Sequence, residues 1–106
     1  MDRKFRPRKK INSPKVITDY VLHIINEYYT EDFNLEYISQ QIGISKNHLC
    51  RIFNDTTGTT ILTVLKKKRV TEAEKLLLQT NELISTICFH CGFNDLSYFY
   101  RCFKDE

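Results

Sequence analysis

The stretch ICFHCGFNDLSYFYRCFK, residues 87–104, decides the fold. A helix is expected over about residues 83–91, and Gly92 supplies the left-handed residue that ends it. Asp95 then offers a side-chain cap to a second helix running to about Phe103. Two helices joined by so short a turn form a helix-turn-helix unit. In the second helix Phe99, Cys102 and Phe103 recur at three and four residues, which puts them on one inward face.

The same pattern occurs earlier in the chain. Setting Gly43 against Gly92 places Ile38 on Ile87, Ile42 on Cys91 and Ile44 on Phe93, an offset of 49. Past the turn the offset becomes 50, through one extra residue near Asn94, and Leu49, Arg51 and Phe53 fall on Phe99, Arg101 and Phe103. In this first copy Asn34 caps a short helix whose buried stripe is Leu35, Ile38 and Ile42. Ser45 caps the next, with Leu49, Ile52 and Phe53 turned inward. The chain contains its helix-turn-helix twice.

The outward arcs follow from the geometry of the helix, at about 100° per residue. Asn47, Cys50, Arg51 and Asn54 share one arc, and Ser97, Tyr100, Arg101 and Lys104 share the corresponding one. These arcs suit a DNA major groove. An arginine fork donates to guanine O6 and N7 together, and an asparagine pairs with adenine N6 and N7. Base readout is therefore assigned to Asn47, Arg51, Ser97, Tyr100 and Arg101. Backbone contact is assigned to Ser45, Lys46, Asn54, Lys66, Lys67 and Lys104, because helix N-termini and lysines favour phosphate. Lys66, Lys67 and Lys68 span nearly a full turn, so they cannot all face the same partner. An isolated helical arginine is ordinarily a solvated surface residue. Its repetition at matching points of two helices argues for readout here.

Two further helices complete an all-α fold. Ser13-Pro14 suits an N-cap followed by N1, and Ile17, Tyr20, Val21, Ile24, Ile25 and Tyr28 give a first helix its apolar stripe. His23 is expected to be partly buried there. After Gly58 a helix over about residues 60–78 carries Ile61, Val64, Leu65, Ala73, Leu76 and Leu77. At 1.5 Å per residue it spans about 28 Å, comparable with the ~34 Å of one DNA turn. The expected organisation is a basic, disordered arm or linker remnant over residues 1–12, a first subdomain over 13–59, a linking helix over 60–78 and a second subdomain over 79–106. It is homeodomain-like in its tandem helix-turn-helix units.

Composition bounds the function more weakly. The chain has 106 residues, three Gly, two Pro and a formal charge of +3, which suits one helical domain and leaves little for strand turns. Residues 1–10 hold six basic side chains and one acid, so residues 11–106 carry ten basic and twelve acidic residues, a net of −2. Any nucleic-acid argument rests on placement. Basic residues collect on the recognition and linking helices, and acids in the first helix and the loop after it. Membrane-spanning and secretory segments are not expected, since no apolar run reaches their length; the expected location is cytoplasmic. Catalysis is not expected, as no nucleophile, base and acid converge at recognisable spacing.

Four cysteines, Cys50, Cys88, Cys91 and Cys102, admit two readings. Cys88 and Cys91 have C-x-x-C spacing with His90 between them, which allows a thiol or zinc sensor that also uses Cys102. A second ligand pair at short spacing is lacking and His90 points away from Cys91, so small buried hydrophobes are the preferred reading and no metal or cofactor is assigned. His48 and His90 are read as surface or packing residues, and Tyr98 as core or rim. A protein-interaction module built on the helix-turn-helix surface is a third alternative to DNA binding.

From about Val16 onward the chain resembles the AraC/XylS family of bacterial transcription regulators. The specific residues are Ile87-Cys88, Cys91-Gly92-Phe93, Tyr98-Phe99 and Arg101-Cys102-Phe103-Lys104, which resemble the family pattern I-A-x-x-V-G-F, Y-F and R-x-F-K. Gly58 and the series Leu65, Arg69, Ala73, Leu76 and Leu77 match as well. The resemblance implies that the two recognition helices occupy successive major grooves of an asymmetric, two-half-site operator, and that the protein activates transcription while touching RNA polymerase. It implies core positions for Cys88, Cys91 and Cys102, and leaves Cys50 where a polar reader would be expected. It further implies an upstream sensing or receiver domain, and a final family helix that would follow Glu106 and is missing from this chain.

Overall fold

The computed structural model describes residues 13–105, which form six helices and no strand. The basic arm expected over residues 1–12 lies outside the described residues. The helices are α1 (Pro14–Tyr28), α2 (Leu35–Ile42), α3 (Lys46–Thr57), α4 (Ile61–Gln79), α5 (Ile84–His90) and α6 (Leu96–Asp105). Caps fix most of the starts. Ser13, Asn34 and Thr60 accept from Val16, Tyr37 and Thr63 amides at 3.4, 3.0 and 3.1 Å, each satisfying one of the free amides of a first turn. The start of α5 has no side-chain cap; Leu83 occupies that place.

The apolar residues divide between two cores. Ile17, Val21, Ile24 and Ile25 of α1 meet Ile38 and Ile42 of α2, Leu49 and Phe53 of α3, and Ile61 and Leu65 of α4. Val70 and Ala73 of α4 meet Ile87, Cys88, Cys91, Phe93, Phe99 and Cys102. Full burial of such an aliphatic or aromatic side chain contributes about 1.5–3 kcal/mol, so α4 is anchored at both ends by burial. It therefore does more than span the gap between units, since its first half completes one core and its second half the other. The stretch between Leu65 and Val70 carries no fully buried side chain. In the second core Phe99 is surrounded by rings, with centroids of Phe93 at 5.0 Å, Phe103 at 5.5 Å and Tyr100 at 5.8 Å.

Two expectations about α1 and α3 need correction. His23 is exposed rather than partly buried, because the α1 stripe of Ile17, Val21, Ile24 and Ile25 faces away from it. Cys50 is half-buried and packs against the first core, so it does not stand fully on the outward arc. The reason is that α3 packs against α1, α2 and α4 at once, which widens its buried face beyond the single stripe of Leu49, Ile52 and Phe53.

Candidate nucleic-acid interface

The two turns repeat at the level of individual hydrogen bonds. In the first, the Ile44 amide donates to the Ser39 carbonyl at 3.1 Å, and in the second the Phe93 amide donates to the Cys88 carbonyl at 3.1 Å. Both bonds reach back five residues around a glycine of positive φ, 93° at Gly43 and 97° at Gly92. This is the closure that satisfies the last carbonyls of a helix and turns the chain sharply. The following helices are capped alike, with the His48 amide donating to Ser45 Oγ at 3.0 Å and the Ser97 amide to Asp95 Oδ1 at 2.8 Å.

These turns leave α3 and α6 with one buried and one exposed face. On α3, Leu49 and Phe53 are buried while Lys46, Asn47, Arg51 and Asn54 are exposed. On α6, Phe99 and Cys102 are buried while Ser97, Tyr100, Arg101 and Lys104 are exposed. All five residues assigned to base readout are thus at the surface, divided between two helices. The Arg101 guanidinium lies 5.7 Å from the centroid of the Tyr98 ring, which is itself 6.1 Å from that of Phe93. A cation within about 6 Å of a ring centroid, over its face, is attracted by the ring quadrupole. Arg69, Arg101, Asn94, Asp95 and Tyr98 border a shallow hollow of about 290 Å³ at the start of α6.

Charge pairing separates the cations that are committed from those that are not. Lys15 pairs with Asp19 at 3.0 Å, and Glu72 binds both Lys68 at 3.2 Å and Lys75 at 3.1 Å. Hydrogen bonds from Lys75 and Lys68, against an opposing desolvation, hold the Glu72 carboxyl below its ordinary range. Among the described residues Lys46, Arg51, Lys67, Arg101 and Lys104 have no such acidic partner. The lysine run diverges as helix geometry requires: Lys66 is half-buried, while Lys67 is exposed and lines a concave strip with Thr59, Thr63 and Thr71.

The cysteines of the second unit lie in its core. Cys88, Cys91 and Cys102 are 2% exposed or less, and burial, with the charges of Glu72 and Cys88, pushes the Cys91 thiol up to about 11. Among the described residues no group of three His, Cys, Asp or Glu side chains is placed to hold a metal ion. His48 and His90 are both exposed. Tyr98 belongs to the rim, 43% exposed and packed on Phe93 and Arg101.

One contributor was not singled out by sequence reasoning beyond its place in the linking-helix series. Arg69 Nε donates to the Tyr29 carbonyl at 2.7 Å and Nη2 to the Glu31 carbonyl at 2.9 Å. It joins the middle of α4 to the end of α1. Burial lowers the pKa of its guanidinium, opposed by the nearby Asp32 and Tyr98.

Comparison with known proteins places this geometry. A family described as a helix-turn-helix domain matches residues 38–106, from within α2 to the end of the chain. The chain belongs to the AraC/XylS family. Members of that family are bacterial, DNA-binding regulators of transcription. The xylose operon regulatory protein of Escherichia coli (strain K12) is 27% identical over 104 residues, covering 98% of this chain and 26% of that protein. The transcriptional activator RhaR of Klebsiella pneumoniae is 34% identical over 92 residues, covering 87% of this chain and 33% of RhaR. The chain therefore spans a quarter to a third of the length of these relatives. The same fold occurs in the DNA-binding domain of AdpA, a global transcriptional factor solved in complex with a target DNA. It matches with a TM-score of 0.76 at 24% identity, over 84% of this chain and 80% of that one. Among the described residues no helix is long and apolar enough to cross a membrane.

Proposed function

We propose that this chain reads an asymmetric duplex operator of two unequal half-sites, with α3 and α6 in successive major grooves. The observation that carries the reading is the exposure of Arg51 and Arg101 at matching points of two capped helices, neither with an acidic partner among the described residues. Asn47 and Arg51 read bases in one half-site, and Ser97, Tyr100 and Arg101 in the other. Ser45, Lys46, Asn54, Lys66, Lys67 and Lys104 contact the phosphate backbone, which sets register without reading sequence.

In the intact protein this binding activates transcription through contact with RNA polymerase, under control of a sensing or receiver domain upstream, in the cytoplasm. The activator role is supported by the relation to RhaR, named as a transcriptional activator. The reading is tested by enriching bound duplexes from a random pool and footprinting the winner. Two protected stretches on one DNA face, about 10 base pairs apart between centres, are expected. Enrichment of no common sequence, or a single protected stretch, would contradict it.

A further inference from the structure

We propose that Arg69 is a positioning residue that fixes the setting of one recognition helix relative to the other, and thereby the half-site spacing the protein accepts. This rests on the two-half-site reading above.

Three segments of chain meet at this side chain. Arg69 Nε and Nη2 take the carbonyls of Tyr29 and Glu31 at 2.7 and 2.9 Å. Those carbonyls stand at and just past the end of α1, where the helix has no amide of its own to offer and where the helix dipole favours a cation. The neighbouring Lys68 stands over the Tyr29 ring, 5.2 Å from its centroid, so two consecutive residues of α4 hold one residue of the first unit. The third segment is the turn of the second unit. A β-carbon on Gly92 would lie 2.4 Å from the Tyr29 carbonyl oxygen and 2.8 Å from Arg69 Nε. Gly92 therefore lies directly against the joint.

The place of this joint along α4 gives it leverage. Leu65 is the last residue of α4 in the first core and Val70 the first in the second. Between them Lys66–Arg69 has no fully buried side chain, so α4 crosses from one core to the other without a core residue of its own. A helix segment with no core contact of its own bends more readily than one packed along its length, and here the contacts are those of half-buried Lys68 and Arg69. Arg69 sits at that crossing, ties it to α1 by two hydrogen bonds, and lies against Gly92 in the turn preceding α6. The guanidinium suits this because its rigid fork donates to two separated carbonyls at once, which a lysine ammonium on a flexible stem cannot reproduce.

The test combines a DNA-free and a DNA-bound measurement. Spin labels at Thr56→Cys and Thr86→Cys, both exposed positions, are placed in a Cys50→Ala background, and the label-to-label distance is compared between wild-type Arg69, R69K and R69M. Wild type is expected to give one narrow distance population, and R69K a broadened or second one. If R69M fails to fold, R69K decides. An unchanged narrow distribution in R69K would overturn the proposal.

In the second arm the enriched duplex is lengthened or shortened by one base pair between half-sites, which turns one relative to the other by about 34°. Wild type is expected to lose about tenfold or more in affinity, and R69K less than about threefold, from a weaker starting affinity. An equal spacing penalty in both would also overturn the proposal. Indifference of wild type to spacing would instead overturn the two-half-site reading, and the label distances would still decide the joint.

Discussion

Gly92 and the carbonyl oxygen of Tyr29 are so close that a single added β-carbon would stand 2.4 Å from that oxygen. The helix-turn-helix glycine of the second unit thus has a tertiary role besides its positive φ. Gly58 also has positive φ, 78°, yet an added β-carbon there meets nothing within 4 Å. The two glycines separate backbone conformation from close approach. Gly58→Ala is expected to cost about 1–2 kcal/mol, the ordinary penalty of a left-handed L-residue, and Gly92→Ala about 1–3 kcal/mol more for the forced displacement. Urea unfolding of the two variants checks this, and equal losses would contradict it.

Thr18 offers a stabilising change. It is 3% exposed and its Oγ1 has no hydrogen-bond partner among the described residues. Replacing a buried, unsatisfied hydroxyl by a methyl of the same shape removes a desolvation cost. Thr18→Val is expected to gain about 1 kcal/mol and to raise the thermal midpoint by about 4–8 °C, with DNA affinity unchanged. A lower midpoint would show that the hydroxyl has a partner after all.

The buried thiols make the fold sensitive to alkali. The Cys91 thiol rises from 9.0 to about 11, chiefly by burial, and Cys88 shifts the same way for the same first cause. A group whose folded pKa lies above its unfolded one stabilises fully below the unfolded value and loses that contribution as pH climbs through the folded one. Stability is expected to be level through neutral pH and to fall between about pH 9 and about pH 11, and Cys91→Val should flatten that fall. Unfolding midpoints measured across this range decide it, and an unaltered slope in the variant would contradict the assignment.

The parts of the fold legible in the sequence were those encoded locally. Ser13, Asn34, Ser45 and Asp95 cap their helices because a short oxygen-bearing side chain reaches the amide two or three residues on. Gly43 and Gly92 mark their turns because positive φ favours residues lacking a β-carbon. The inward residues Leu49, Phe53, Phe99 and Cys102 followed from spacing alone. Arg69 was legible only as a member of the linking-helix series, because its partners lie 40 and 38 residues away and are backbone carbonyls, which leave no trace in side-chain identity. Cys50 was misjudged for a related reason: how many neighbours surround a helix depends on the tertiary fold, so the width of its buried face does not follow from its own spacing. The exposed arcs of α3 and α6 were readable as arcs, whereas the pairing that leaves Arg51 and Arg101 without an acidic partner among the described residues required the structure.

Phosphate contacts and base contacts have different signatures in salt. Lys46 and Lys104 are exposed and have no acidic partner among the described residues. Lys46→Ala and Lys104→Ala are expected to weaken binding to enriched and random duplexes alike, each reducing the slope of log affinity against log salt by about 1. Titrations at several salt concentrations measure this, and an unchanged slope would remove the residue from the phosphate set.

The central claim, that each unit reads its own half of the operator through its arginine, is tested most directly by measuring affinities of wild type, Arg51→Ala and Arg101→Ala on the enriched duplex and on versions with one or the other half-site scrambled. Each substitution is expected to cost about 1–3 kcal/mol on the intact duplex, and to make the chain largely indifferent to scrambling of one half while it stays sensitive to the other, with the two variants choosing opposite halves. Equal losses on intact, half-scrambled and random duplexes would contradict the claim and reduce both arginines to phosphate contacts.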